Sequence, residues 1–286
     1  MRTNMRTNES IHINNFPMKN SKNLLLMLIA VFLLTLPKTL FSQEEAKNDA
    51  AELAKKLSNP IASLISVPFQ NNMDIGIGDF NGSRNTLNIQ PVIPLSLTEN
   101  LNLITRVILP VMIQYNITGE GTSQSGLGDA VVSGFVSPKV SKVTWGVGPV
   151  FLVPTGSDDF SAKKFGIGPT AVALYQTKGM TFGALVNQIW SVAGDDSRGD
   201  VSNFFLQPFF TYNWKTGAGI GGNFELTQNW KSDATVLWFN PILSAVTSLG
   251  KQKAQFAIGP RLNLAAPDGA KSKFGVRAVV VFLFPK

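Results

Sequence analysis

The chain has 286 residues, 44% of them hydrophobic and only 15% charged, with a formal net charge of +7, one histidine and no cysteine. Arg2, Arg6, Lys19, Lys22 and Lys38 against Glu9 place +4 of that charge before residue 43, so the chain from residue 43 onward is nearly balanced and lacks the clustered Lys and Arg that phosphate neutralisation requires. Without cysteine there is no disulfide, thiolate nucleophile or lipidated cysteine, and with His12 in the N-terminal stretch there is no Ser-His triad or zinc site of the usual kind. Composition leaves only carboxylate or Ser-Lys chemistry open, so the expectation is no enzyme, no metal and no cofactor.

The first element is an apolar block, Leu24 to Leu36, about thirteen residues long against the roughly twenty a membrane helix needs. Lys19 and Lys22 precede it and Pro37-Lys-Thr-Leu-Phe-Ser42 succeeds it, the basic start, apolar centre and small-residue end of a secretory signal peptide. Cleavage is expected after Ser42, with Met1, Met5 or Met18 as the start, so residues 1–42 form an extension and signal peptide. Next, Ala50, Leu53, Ala54 and Leu57 alternate with Lys and Asp at helical spacing, and Asn59-Pro60 stops the pattern. Residues 43–60 thus read as a leader helix, either periplasmic or plugging a lumen.

Everything beyond, 61–286, has period two. Ala218, Ile220, Gly222, Phe224 and Leu226 alternate with Gly219, Gly221, Asn223, Glu225 and Thr227. Phe204 to Trp214 repeats the scheme, and Phe274, Val276, Ala278, Val280, Phe282 and Phe284 share a face opposite Gly275 and Arg277. Such alternation serves a soluble sandwich or a membrane barrel, and loop rhythm separates the two, because barrels alternate short turns with longer loops. Short connections fall at Thr98-Asn100, Lys139-Lys142, Thr177-Gly179, Lys215-Gly217 and Gly250-Lys253; longer polar stretches span Asn72–Asn85, Thr118–Asp129, Thr155–Lys164, Ala193–Ser202, Asn229–Thr235 and Ala266–Lys273. The expected fold class is therefore all-β, an antiparallel transmembrane β-barrel of about 12 strands with a short N-terminal helix, in the outer membrane of a Gram-negative bacterium. Its expected partners are outer-membrane lipid, the barrel assembly machinery and a small solute, not nucleic acid. Pro91, Pro149, Pro169, Pro208 and Pro260 fall inside candidate strands, and bulges are expected to absorb their missing donors.

Several runs carry a resemblance: Asn59 to Gln70, Leu87 to Pro94, Gly126-Leu-Gly-Asp129, Trp145-Gly-Val-Gly-Pro149 and Phe282 to Lys286. Together they resemble the phenol-degradation meta-pathway-like outer-membrane family, whose members are often labelled transporters and sometimes mislabelled neuromedin U. The resemblance implies an outer-membrane barrel and passage of small hydrophobic or aromatic compounds, and it supplies no catalytic residues. The alternative is a structural or surface-interaction barrel that transports nothing. The glycine-rich stretch Gly217 to Asn229 departs from the family pattern.

On the inferred inward faces charge is scarce, and Arg106, Glu225, Arg261 and Arg277 are the lumen and selectivity candidates. Charge facing a narrow lumen sets ion selectivity; the competing reading is an internal salt-bridge network. Arg261 and Arg277 on neighbouring strands would repel unless Glu225 or a solute anion compensates, which predicts a weak anion preference. Tyr175, Trp190, Tyr212, Trp214, Trp230 and Trp238 are expected as interface anchors, with solute stacking as the alternative. Asp195-Asp-Ser-Arg-Gly-Asp200 reads as a solvated acidic loop, since a calcium loop's bidentate Glu is missing.

Overall fold

A computed structural model describes residues 43–284, with side chains from Asp49 onward; the expected signal peptide lies outside the described residues. Helix α1 (Gln43–Leu57) precedes strands β1 (Ile65–Ile77), β2 (Gly82–Ile89), β3 (Val92–Ser96), β4 (Leu101–Tyr115), β5 (Ser123–Leu127), β6 (Ala130–Pro138) and β7 (Thr144–Val153). Next come β8 (Lys164–Gln176), β9 (Met180–Gly194), β10 (Ser202–Asn213), β11 (Ala218–Asn229), β12 (Ala234–Leu249), β13 (Gln252–Ala265) and β14 (Phe274–Phe284). The pairing is antiparallel throughout, and β14 closes on β1 from Ile65↔Phe284 to Ile75↔Phe274.

The fourteen segments are twelve barrel strands, because two are interrupted. Both β2 and β3 pair with β4, and so do β5 and β6. The first break falls at Gln90-Pro91, where proline has no donor for the ladder and its carbonyl accepts from Val107 instead. The second falls at Gly128-Asp129, where Asp129 accepts from the amides of Gly156 and Ala162 and from the Ser161 hydroxyl, tying β6 to the loop beyond β7.

Elsewhere the prolines do not act as expected. The register shifts fall at Ile75/Ile77, Leu237/Trp238 and Phe165/Gly166, none of them at a proline. Pro149 and Pro169 face each other directly, and the β10–β11 ladder skips Pro208 and resumes unshifted from Leu206↔Leu226 to Phe209↔Asn223. At Pro149 and Pro169 the preceding glycine explains how. A Cβ on Gly148 would lie 1.9 Å from Gly134 O, and one on Gly168 would lie 1.7 Å from Gln188 O, so the neighbouring strand moves into the space a side chain would take.

Three expected loops are wholly or partly strand instead, and Thr118–Asp129 contains β5 (Ser123–Leu127). The chain turns tightly between Gly78 and Asn81, both with positive φ, so most of Asn72–Asn85 lies in β1 and β2. Asn229–Thr235 shrinks to Trp230–Asp233. The wall is inside-out relative to a soluble protein: Ile93, Ile113, Phe182, Ile220 and Leu243 are exposed, and Ile258 is 59% exposed, as a lipid-facing surface requires.

Helix α1 ends where Ser58 Oγ bonds Ala54 O and Asn59 Oδ1 accepts from Ile61 N. It seats on the short-turn end of the barrel, where Gln176 donates to Lys55 O and Asn213 to Ser58 Oγ. Ile61 then enters an apolar cluster with Ile104, Phe135, Val172, Leu174 and Leu185, so this end of the interior is filled.

Candidate functional site in the lumen

The inward positions of β1, β11, β12, β13 and β14 converge on one carboxylate. Glu225 Oε1 accepts from Arg277 Nη1 at 2.8 Å, and Oε2 accepts from Arg277 Nη2 at 3.0 Å and from Arg261 Nη1 at 2.9 Å. The Arg277 contact has the bidentate geometry that makes Arg–carboxylate pairs strong. Arg261 Nε also donates to Asp74 Oδ1 at 3.1 Å, and its Nη1 to Asn240 Oδ1 at 3.1 Å, while Arg277 Nε donates to Asn72 Oδ1 at 2.7 Å. Side-chain exposure is 3% for Arg277, 10% for Arg261 and 15% for Glu225, so the network is largely buried.

Local structure explains why these groups meet. Gly275 is paired with Asp74 on one side and Arg261 on the other, and a Cβ there would lie 2.6 Å from Asp74 Oδ1 and 3.1 Å from Arg261 Cβ. The missing side chain is the gap through which the two charges reach each other across β14.

Arg261 and Arg277 are thus brought together and compensated by Glu225, the internal network that competes with the selectivity reading. Arg106 stands apart. Its Nη2 donates to Gln90 Oε1 at 2.7 Å, and among the described residues it forms no ion pair. Three participants escape the sequence pattern. Asp74 and Arg84 fall in an expected loop, and Arg84 Nε donates to Gln114 Oε1 at 2.9 Å; the Asn81-Gly82 turn signal identifies that hairpin. Trp238 is the third, and the expectation of an interface anchor is corrected: it is paired with Glu225, and the Arg261 guanidinium lies 3.8 Å over its ring. The other five aromatics are exposed on the outer wall, with Tyr175, Tyr212 and Trp214 toward the turn end and Trp190 and Trp230 toward the loop end.

Beside the network lies a cavity of about 350 Å³. One side of the lining is polar, with Gln70, Asn72, Asp74, Glu225, Arg261 and Arg277; the other, from β4, β6, β9 and β10, interleaves apolar Ile108, Val131, Leu185, Ile189 and Phe205 with Ser133, Asn187, Asn203 and Gln207. Arg106 and Gln90 line it too, and also line a smaller pocket of about 110 Å³ beneath the leader residues Lys56, Leu57, Asn59 and Pro60.

A closed antiparallel barrel with an apolar outer wall and a charged, partly hollow interior defines an outer-membrane type β-barrel. The chain belongs to the family described as "Putative MetA-pathway of phenol degradation", whose model matches residues 66–278. The crystal structure of an outer membrane channel from Pseudomonas putida F1 shares the fold, with a TM-score of 0.60 at 17% identity over 79% of this chain and 97% of that one. The NanC porin aligns with a TM-score of 0.44 at 12% identity over 78% of this chain and 100% of that one. An anion-selective porin from Comamonas acidovorans aligns with 0.39 at 9% identity over 77% and 98%. No curated protein matches the sequence.

Proposed function

We propose that this protein is an outer-membrane channel or passive transporter for small solutes, hydrophobic or aromatic ones included, exported by the signal peptide at residues 1–42 and inserted by the barrel assembly machinery. The observation that carries the reading is the cavity inside the barrel: a lumen with only a structural role would pack its side chains, whereas this one keeps about 350 Å³ lined by charged, neutral polar and apolar side chains. The solved channel from Pseudomonas putida F1, with the same fold, supports it. The sequence offers no nucleotide-binding motif, so movement is down a gradient.

A second reading, a barrel that transports nothing, is favoured by one observation. The turn end is filled by α1, Ile61 and the apolar cluster around Phe135. The two differ in what the leader does. In the first it is a plug that gives way; in the second it is a permanent part of the core. Single-channel conductance in planar bilayers, with and without residues 43–59, decides between them. Larger steps after removal establish a plugged channel. A folded, heat-modifiable barrel that conducts nothing in either form would remove the channel reading.

A further inference from the structure

We propose that Arg106 is the binding site for the carboxylate of a small amphipathic organic acid, an aromatic or short aliphatic monocarboxylate lying in the main cavity. The proposal rests on the channel reading and names its solute class.

Three observations support it. The first is charge. The cavity lining holds three arginines and two carboxylates, and both carboxylates are taken: Asp74 by Arg261, and Glu225 by Arg261 and Arg277. Arg106 is left with the neutral Gln90 amide, using one of the five N–H donors of its guanidinium. A half-buried cation held by a neutral acceptor keeps its charge and most of its donors for an incoming anion, and an ionisable group inside a membrane protein marks a solute path by default. The second is shape. Ile108, two residues along β4 and so on the same face, begins a surface on which apolar Val131, Leu185, Ile189 and Phe205 are interleaved with Ser133, Asn187 and Asn203. A ligand that meets both surfaces has a charged head and an apolar body, which chloride, phosphate and sugars lack. The third is position. Arg106 and Gln90 are shared by the main cavity and the pocket beneath the leader, so a solute moving from one to the other passes this guanidinium.

The test uses the full protein extracted from outer membranes, with benzoate, benzamide and formate as probes in titration calorimetry and single-channel conductance read on the same preparation. Benzamide removes the charge and formate removes the ring. Benzoate is expected to bind at least tenfold more tightly than either, and Arg106→Gln to weaken benzoate tenfold or more while leaving benzamide unchanged. Arg106→Lys keeps most of the benzoate affinity, and Ile108→Thr weakens benzoate several-fold with no effect on formate. Equal affinity for benzoate and benzamide in the wild-type protein overturns the proposal without any variant having to fold. So does benzoate binding no tighter than formate, no benzoate binding at all, or benzoate binding indifferent to Arg106→Gln. A barrel that conducts but fails these arms loses the acid site and keeps the channel; one that binds benzoate yet never conducts, leader removed, keeps the site and loses the transport.

Discussion

Glu225→Gln tests the lumen network most directly. The substitution keeps the shape and removes the charge, leaving Arg261 and Arg277 facing each other with Asp74 as the single carboxylate bonded to either. Three charge-assisted bonds of 2.8, 2.9 and 3.0 Å are lost or reversed, because an amide nitrogen would point at guanidinium donors. Breaking a buried ion pair from one side costs about 3–5 kcal/mol. Glu225 is 15% exposed and the cavity lies alongside, so the low end applies, about 3 kcal/mol or roughly a hundredfold in the folding constant. Urea unfolding in lipid vesicles, monitored by tryptophan fluorescence, should show a lower midpoint at unchanged slope. Adding Arg277→Met, which removes one orphaned cation, should recover part of the loss. A single variant within about 0.5 kcal/mol of wild type, the range of an ordinary surface substitution, would mean that the network is solvated and not a structural clamp.

Gly275→Ala is expected to separate Arg261 from Asp74, since the new Cβ would sit 2.6 Å from Asp74 Oδ1; a loss of about 1–3 kcal/mol in the same unfolding assay checks it, and no loss would show that β14 yields freely. With Trp238 as the sole tryptophan, fluorescence should resist quenching by brominated lipids, whereas Trp190 or Trp230 alone should be quenched; strong quenching of Trp238 would put it on the outer wall after all. In the loop after β9, bonds from the Ser197 hydroxyl and backbone amide hold the Asp195 carboxyl below its ordinary value of 3.8. A depressed carboxyl supports its contacts above the unfolded value and loses them as pH falls through the lower folded one. The Ser197 amide signal should therefore titrate with a midpoint under 3.8, and a midpoint at or above it refutes the contact.

The barrel is legible because β11 alternates greasy outward residues with inward Gly, Asn, Glu and Thr, and β14 begins the same way with inward Gly275 and Arg277, although Val281 and Leu283 further along also face inward. Legibility fails where the wall is polar on both sides. Asn71, Ser83 and Asn85 occupy outward positions in the β1–β2 hairpin, so period two vanishes and Asp74 and Arg84 go with it. Trp238 is misread for another reason. Its parity matches inward Asn240, which bonds Asn223 and Arg261, but the general preference of tryptophan for membrane interfaces points the other way. The network itself needs three dimensions: Asp74 and Arg261 are 187 positions apart, and only closure of β14 on β1 makes them neighbours.

Closure also explains why Arg106 differs from the other two arginines of the lining. Arg261 and Arg277 sit on strands at or beside the seam, within reach of carboxylates on β1 and β11. Arg106 lies on β4 opposite Val92, just past the break at Gln90-Pro91. That break delivers Gln90 to the guanidinium, and it fixes the direction of the group without cancelling its charge. Gln90→Glu cancels it with almost no change in shape. The variant should fold, since an ion pair replaces a hydrogen bond, and any anion preference of the conducting barrel should fall toward neutrality or reverse, read as a shift in reversal potential under a salt gradient. Benzoate affinity should fall with it, because the new carboxylate occupies the donors and repels the ligand. An unchanged reversal potential together with unchanged benzoate binding would place the selective charge elsewhere in the lumen and leave Arg106 as a strut between β2 and β4.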